Sequence, residues 1–404
     1  MNTKKRVLVL TSTFPRWKDD KEPPFVFELC RRLSDTFDIL VLAPHADGSK
    51  CFERMDDIDI VRFRYCFPRW ERLAYQGGIL ANLRRNRWCY LLLPFFFLSQ
   101  LLALRRILQT QNIDVIHAHW LIPQGLTVAI AKIFIRNMPP LICTSHGGDL
   151  LGLTGWLPSQ AKRWVIRSSA IITVVSTAMV SRALTLGAKP QQVHTVSMGV
   201  DTRTLFTPAP SIPRATNEIL FVGRLVEKKG CAYLLEAMPE ILDHYPDARL
   251  SIVGDGPMET ALKRQAKHLG IAHAVTFVGA VNNADIPELH RRASVLVVPS
   301  IITVQGDQEG LGLVMVEALA CECPVVASDL PAIRDVIAHE NTGLLVQPKN
   351  PGAIAGAVVR LFEEPKLGRQ LAVNGRNHVT QIFDWAVIGD HYTTLIEKLA
   401  LGHS

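Results

Sequence analysis

Ten short apolar runs recur along the chain, at residues 7–10, 39–42, 114–117, 141–144, 171–175, 219–222, 250–253, 275–278, 295–298 and 324–327, with helical patterns between them. Each run is too short for a helix and is apolar without alternation, the signature of strands buried on both faces. Strand–helix alternation of this kind builds parallel sheets covered by helices. At 404 residues the chain exceeds what one hydrophobic core supports, and a 48% hydrophobic content supplies two. Between residues 200 and 217 the text loses all period and contains TPAPSIPRATN, a proline-rich stretch that reads as an interdomain linker. The expected fold is therefore α/β with two Rossmann-like domains, residues 1–207 and 208–384, split near 207, with ligand expected in the cleft between them.

Open α/β sheets bind ligands beyond the carboxyl ends of their strands, so the segment just after the run at 295–298 is a candidate site. Residues 299–324 read PSIITVQGDQEGLGLVMVEALACECP. Glu309 stands in a turn softened by Gly310 and Gly312, and good helix formers run from Leu311 and Leu313 to Ala320. Glycines without Cβ let the main chain approach a ligand, and a helix start offers free N–H groups to phosphate oxygens. Glu317, one to two turns into the helix, could accept two hydrogen bonds from a ribose diol. The plainer reading makes Glu309 a helix-dipole acid and Glu317 a solvated one.

After the run at 219–222 comes Gly223, then Arg224 and, five residues on, Lys229 before Gly230. A guanidinium fork and a compact ammonium together suit a diphosphate and can offset charge developing on it without a metal. Lys228 leaves open which neighbour is the phosphate ligand. Residues 253–257, VGDGP, look like a strand-to-helix turn but lack the G-x-G-x-x-G fingerprint of dinucleotide binders, as does the first loop.

These segments together resemble the retaining glycosyltransferases of family 4, GT-B enzymes of the group 1 type. The two glutamates with seven residues between them, the following PVVAS at 324–328, the Gly223, Arg224, Lys229 and Gly230 set and the GDGP turn carry the likeness, strongest over 219–347. The resemblance implies a GT-B fold, two Rossmann-like domains facing across a deep cleft, with a C-terminal helix from about 385 to 404 returning to the N-terminal, acceptor-binding domain. Residues 208–384 would bind the nucleotide sugar. It further implies that Arg224 and Lys229 assist departure of the diphosphate, that Glu309 orients the donor sugar, that Glu317 holds the ribose, and that main chain near Val278 and Gly279 reads the base. Gly223, Gly310, Leu311, Gly312 and Leu313 complete the donor side. The base stays open between a UDP-sugar and a GDP-sugar, with no cofactor and no metal.

In the first half, His146 opens the turn His146-Gly147-Gly148-Asp149 after the run at 141–144. The family resemblance places such a histidine against the donor sugar; the alternative is a loop histidine bonded to main chain. Asp149 is an acceptor-side candidate. His117 and His119, at period two, point the same way and with His146 could assemble a zinc set, although the Glu309, Arg224 and Lys229 site needs none. The first loop, Thr11 to Pro15, lacks the paired glycine usual in family members. Residues 16–24, RWKDDKEPP, read as polar and mobile, with Trp17 either stacking on a sugar or capping the cleft.

Charge separates the halves. Residues 1–207 carry 27 Lys or Arg against 15 Asp or Glu, +12, while residues 208–404 carry 17 against 22, −5. Arg84, Arg85 and Arg87 precede, and Arg105 and Arg106 follow, the apolar text CYLLLPFFFLSQLLAL at 89–104, which falls short of a confident span. Arginines flanking apolar and aromatic residues fit contact with an anionic membrane surface better than nucleic acid, a buried helix being the other reading. Eight scattered cysteines form no disulfide framework, and the apolar run after Lys4-Lys5-Arg6 is too short for a signal peptide, so a reducing compartment without secretion is expected.

The combined expectation is a retaining, metal-independent hexosyltransferase-type glycosyltransferase (EC 2.4 class) with no protein nucleophile. It would move a sugar to a lipid-linked or oligosaccharide acceptor in cell-surface exopolysaccharide or lipopolysaccharide biosynthesis. It would be cytoplasmic and peripheral at the inner membrane face, binding no nucleic acid. Rivals are a GT-B sugar-nucleotide epimerase, a non-catalytic membrane-associated partner of a glycan assembly complex, and a nicotinamide-dependent dehydrogenase.

Overall fold

The computed structural model describes residues 4–402 apart from 19, 21, 23 and 76. It divides into two compact units, one of residues 1–175, 179–198 and 388–404 and the other of 176–178 and 199–387.

The first unit is built on eight strands: β1 (Arg6–Leu10), β2 (Asp38–Pro44), β3 (Phe52–Met55), β4 (Ile58–Phe63), β5 (Val115–His119), β6 (Leu141–Ser145), β7 (Ile171–Val174) and β8 (Val193–Thr195), in the order β3-β4-β2-β1-β5-β6-β7-β8. All pairs are parallel except β3 with β4. Val7, Leu8, Val9 and Leu10 are wholly buried, and so is every residue of β5, because helices cover both faces of the sheet. The β3–β4 hairpin, absent from the apolar-run reading, turns at Asp56, whose φ is +47°. Its edge strand reads FERM, and such charged residues discourage further strand pairing.

The second unit has six parallel strands: β9 (Glu218–Val222), β10 (Arg249–Val253), β11 (Val275–Gly279), β12 (Val295–Val298), β13 (Val325–Ser328) and β14 (Leu344–Val346), ordered β11-β10-β9-β12-β13-β14. Connections leave β9 toward β10 on one side and reach β12 on the other, so the strand order reverses at the β9/β12 crevice. That is where an open sheet receives ligand.

The proline-rich stretch is not a free tether. Arg214 donates to the carbonyls of Ala293 (2.5 Å), His290 (3.3 Å) and Glu322 (2.8 Å), and Phe206 is buried, so 200–217 is laced onto the second unit. Helix Trp385–Leu401 belongs to the first unit from residue 388 onward.

The apolar text at 89–104 lies in a longer helical run, a 3-10 stretch Arg87–Leu92 leading into helix Leu93–Thr110. The run is 24 residues long and includes an 18-residue window with the mean hydropathy, 1.7, of a membrane-crossing helix, but one face is core. Phe96, Gln100, Leu104 and Ile107 are buried, Phe96 packs edge-on against Phe63 and Tyr65, and Gln100 accepts a 2.7 Å hydrogen bond from Thr127. Neither the fully buried helix nor a free-standing span describes it.

Candidate active site

In the second unit the chain leaves β9 through Gly223 and the exposed Arg224, then makes a 3-10 turn, Glu227–Lys229, that ends at Gly230. Gly230 has φ +66°, and a Cβ there would stand 1.8 Å from the Pro299 carbonyl oxygen. Only glycine therefore lets the loop after β9 press against the loop after β12, a contact also held by Ile301 N–H donating to the Lys228 carbonyl at 2.8 Å.

That closeness assembles the charges. Lys229 Nζ donates to Glu309 Oε2 at 2.5 Å, while Lys228 Nζ reaches Asp307 Oδ1 at 3.1 Å and the Gln308 carbonyl at 3.2 Å. The two lysines, indistinguishable in sequence, thus take different partners, and Lys229 is the one facing Glu309. Burial pushes the Glu309 acid up, but the positive fields of Lys229 and Lys228 outweigh it and hold the carboxyl below its ordinary range, so Glu309 is an anion at neutral pH.

Beyond Glu309, Gly310 and Leu311 are buried, and Gly312 adopts φ +90°. The helix consequently begins at Leu313, two residues later than its composition suggests, and runs to Ala320 with no side chain capping its start. Such an uncapped start is suited to an anion. Glu317 lies one turn in, its side chain 20% exposed and 3.9 Å from Nε2 of His290. His290 is fully buried with neither ring nitrogen hydrogen-bonded, and nothing in its helical RR-flanked text signalled that position. At the end of β11, Val278 stays 44% exposed, and Gly279 accepts a 2.8 Å hydrogen bond from Gly254 N–H.

The first unit's carboxyl edge differs in chemistry. His146 follows β6 and sits among the rings of Phe25, Trp120 and His119, with centroids 5.0, 4.8 and 5.2 Å away. Its Nε2 lies 3.0 Å from His119 Nδ1. The His117 ring lies 4.3 Å from that of His119, tilted against it, and joins Thr144 at 2.7 Å, and Thr144 continues to Thr173 and to Tyr392 of the C-terminal helix. Burial drives the His117 and His146 rings down to about 3 and His119 well below its ordinary value, so the cluster is neutral. Two nitrogens that a three-histidine zinc site could use face each other, and among the described residues no group of three metal-ligating side chains has metal-holding geometry. Trp120, beside His146 with φ +77°, was not singled out by sequence; strained non-glycine residues of this kind concentrate at functional sites.

Asp149 requires correction. Its Oδ2 accepts from Leu121 N–H and its Oδ1 from Ser145 Oγ, each at 2.7 Å, and the residue is buried. Both oxygens are committed to tying the His146 turn to the loop after β5, so Asp149 positions that turn instead of facing an acceptor. Residues 16–24 also depart from expectation in part. Arg16 holds Asp20 with two side-chain hydrogen bonds, 2.8 and 2.7 Å, and lies 4.5 Å over the Trp17 ring, which is 42% exposed; residues 19, 21 and 23 of this stretch lie outside the described residues.

Comparison with known proteins bears on both units. Residues 203–378 match the family model of Glycosyl transferases group 1, and residues 24–204 that of Glycosyltransferase Family 4. The phosphatidyl-myo-inositol mannosyltransferase of Mycobacterium leprae is 30% identical over 305 residues, 74% of this chain and 77% of that protein. The N-acetyl-alpha-D-glucosaminyl L-malate synthase of Bacillus anthracis is 25% identical over 331 residues, 80% of this chain and 84% of that one. Among solved structures, sucrose-phosphate synthase from Thermosynechococcus elongatus matches with a TM-score of 0.80 at 20% identity, over 99% of this chain and 100% of the other. Anabaena HepE in complex with UDP matches at 0.73 and 19%, over 98% and 100%.

Proposed function

Because the chain belongs to the GT-B glycosyltransferases of the group 1 and family 4 type, which draw on nucleotide sugars, we propose that it moves a sugar with retention from a UDP- or GDP-sugar to a lipid-linked glycan acceptor. The observation that carries the reading is the Lys229–Glu309 pair at the β9/β12 crevice.

Bond breaking at the anomeric carbon leaves negative charge on the departing diphosphate. Arg224, Lys229 and the start of helix Leu313–Ala320 offset that charge, an electrostatic contribution worth several kcal/mol when donors are preorganised. Glu309, kept anionic by the lysines, orients sugar hydroxyls and balances positive charge on the ring. Retention without a protein nucleophile has the acceptor hydroxyl attack the face the leaving group quits. The bond from the anomeric carbon to the phosphate oxygen breaks, the bond to the acceptor oxygen forms, and the acceptor's proton passes to the departing phosphate oxygen. In the first unit the neutral His146, in its aromatic surround, can offer a hydrogen bond to a sugar hydroxyl. Glu317 holds the ribose, and main chain near the exposed Val278 and Gly279 meets the base. No step calls for a metal.

The M. leprae relative acts, by its name, on a phosphatidyl-myo-inositol, a phospholipid, which supports a lipid-borne acceptor here, as do the arginines and exposed apolar face of Arg87–Thr110. We place the enzyme at the cytoplasmic face of a membrane, in synthesis of exopolysaccharide or lipopolysaccharide. The test is transfer of radiolabelled sugar from UDP- or GDP-sugars, with EDTA present, into the organic-extractable fraction of bacterial membranes. Label entering that fraction with an anomer matching the donor supports the proposal; label released only as free sugar or as an isomerised donor contradicts it.

A further inference from the structure

On the other side of β1 from the histidine cluster, the carboxyl edge of the first sheet forms a second site. A cavity of ≈ 520 Å³ is walled by the loops after β1, β2 and β4, with Arg16, Arg69, Arg72 and Arg85 among its lining residues. Arg16 is committed to Asp20, but Arg69, Arg72 and Arg85 have no ion pair among the described residues. The acid Glu71 in the wall is turned inward, one oxygen taken by His45 and the other accepting from Tyr65 N–H at 3.1 Å, which leaves Asp47 as the other carboxylate lining the cavity.

Arg69 and Arg72 also line an adjoining groove of ≈ 910 Å³ whose remaining wall is mostly apolar, including Phe67, Trp70, Trp88, Leu91 and Phe95. The groove opens onto a stripe of large exposed side chains. Trp88, Leu91, Phe95, Leu98 and Leu102 recur at spacings of three and four along the helical run and are 76%, 62%, 58%, 55% and 55% exposed. The opposite face, Phe96, Gln100 and Leu104, is core, so packing within the unit does not account for the outer stripe.

We infer that cavity and groove hold one amphiphile, a lipid whose phosphate or diphosphate headgroup lies among Arg69, Arg72 and Arg85 and whose hydrocarbon chain runs past Trp70, Trp88, Leu91 and Phe95. The inference rests on the glycosyltransferase reading, which makes this lipid the carrier of the acceptor. Guanidinium forks match phosphate oxygens, and the chain buries aromatic and aliphatic surface otherwise left in water. The charge argues against a second copy of the chain as occupant. Two-fold pairing would set the same arginines against one another, and like charges oppose that contact.

The probe is farnesyl diphosphate below its micelle concentration, titrated by calorimetry against inorganic diphosphate and farnesol as controls. Farnesyl diphosphate is expected to bind at least about tenfold more tightly than either control, since each half contributes its own free energy. Arg72→Ala with Arg85→Ala should reduce its affinity to that of farnesol, and Trp88→Ala with Phe95→Ala to that of diphosphate. Equal binding of farnesyl diphosphate and farnesol, or unchanged affinity in both double variants, overturns the site. So does binding to phosphatidylglycerol vesicles without binding of monomeric farnesyl diphosphate, which makes the surface a bilayer contact, and so does a dimer in sedimentation that the Trp88 and Phe95 changes dissolve. UDP and GDP titrations of the same samples separate the two readings. Nucleotide binding retained without farnesyl diphosphate binding removes the lipid site alone, whereas loss of nucleotide binding in the unmodified protein removes the transferase reading.

Discussion

The two sheets present opposite chemistry at equivalent edges. After β9 and β12 the side chains are ionic, Lys229 against Glu309 and Lys228 against Asp307, with positive fields strong enough to keep a half-buried carboxylate ionised. On β5 and after β6 they are neutral, three closely packed imidazoles whose burial suppresses protonation. An ionic crevice suits a leaving diphosphate, and a neutral, aromatic-walled one suits sugar hydroxyls. In this chain the two sheets offer the same kind of strand edge, while the side chains at each edge set the chemistry that edge presents.

The largest expected effect comes from removing the ionic half's anion. Glu309→Ala should lower turnover by about a hundredfold or more, as loss of a preorganised electrostatic group does, while calorimetry finds nucleotide binding intact. Near-normal turnover would take Glu309 out of the mechanism. Lys229→Ala should weaken nucleoside diphosphate binding by roughly tenfold to a hundredfold, the range for a charge-assisted contact, and leave the half-buried Glu309 with less compensation. An affinity equal to the unmodified protein's would shift the phosphate role to Lys228 or Arg224.

Acid should separate the two edges. The folded-state values of His117 and His146, about 3, lie below their ordinary 6.5. The unfolded chain therefore takes up protons first as pH falls below about 6.5, and stability drops from there toward 3, by roughly several kcal/mol in all. Glu309 is also depressed, but its contribution begins to fade only below its ordinary 4.5. Hydrogen exchange at about pH 5 should thus show β5 and β6 losing protection before β9 and β12; simultaneous loss would contradict the neutral-cluster account. The smallest effect is assigned to Glu317→Ala, about tenfold weaker nucleotide binding with little change in turnover at saturating donor, as expected for one lost bidentate hydrogen-bond acceptor.

What could be read from sequence tracked burial. Val295–Val298 announced itself because a parallel strand covered on both faces has no room for polar residues, and the glycines around Glu309 marked the crevice beside it. Strands β8 and β14, three residues each, are too short to stand out, and the edge strand Phe52–Met55 is exposed at alternate positions, so no apolar run marks it. The start of the helix at Leu313 was hidden because it depends on the left-handed backbone of Gly312. Long-range pairing was least legible. That Asp149 spends both oxygens on Leu121 and Ser145, that Lys229 and not Lys228 meets Glu309, and that His290 lies beside Glu317 all depend on residues distant in the chain. Periodicity carries no information about such partners.

The central claim is that the β9/β12 crevice binds a nucleoside diphosphate without a metal, and calorimetric titration with UDP, GDP, ADP and NAD in the presence of EDTA tests it most directly. The account predicts selective binding of UDP or GDP, weakened by Lys229→Ala and Glu317→Ala. Binding of NAD alone, or of none of the four, would contradict it.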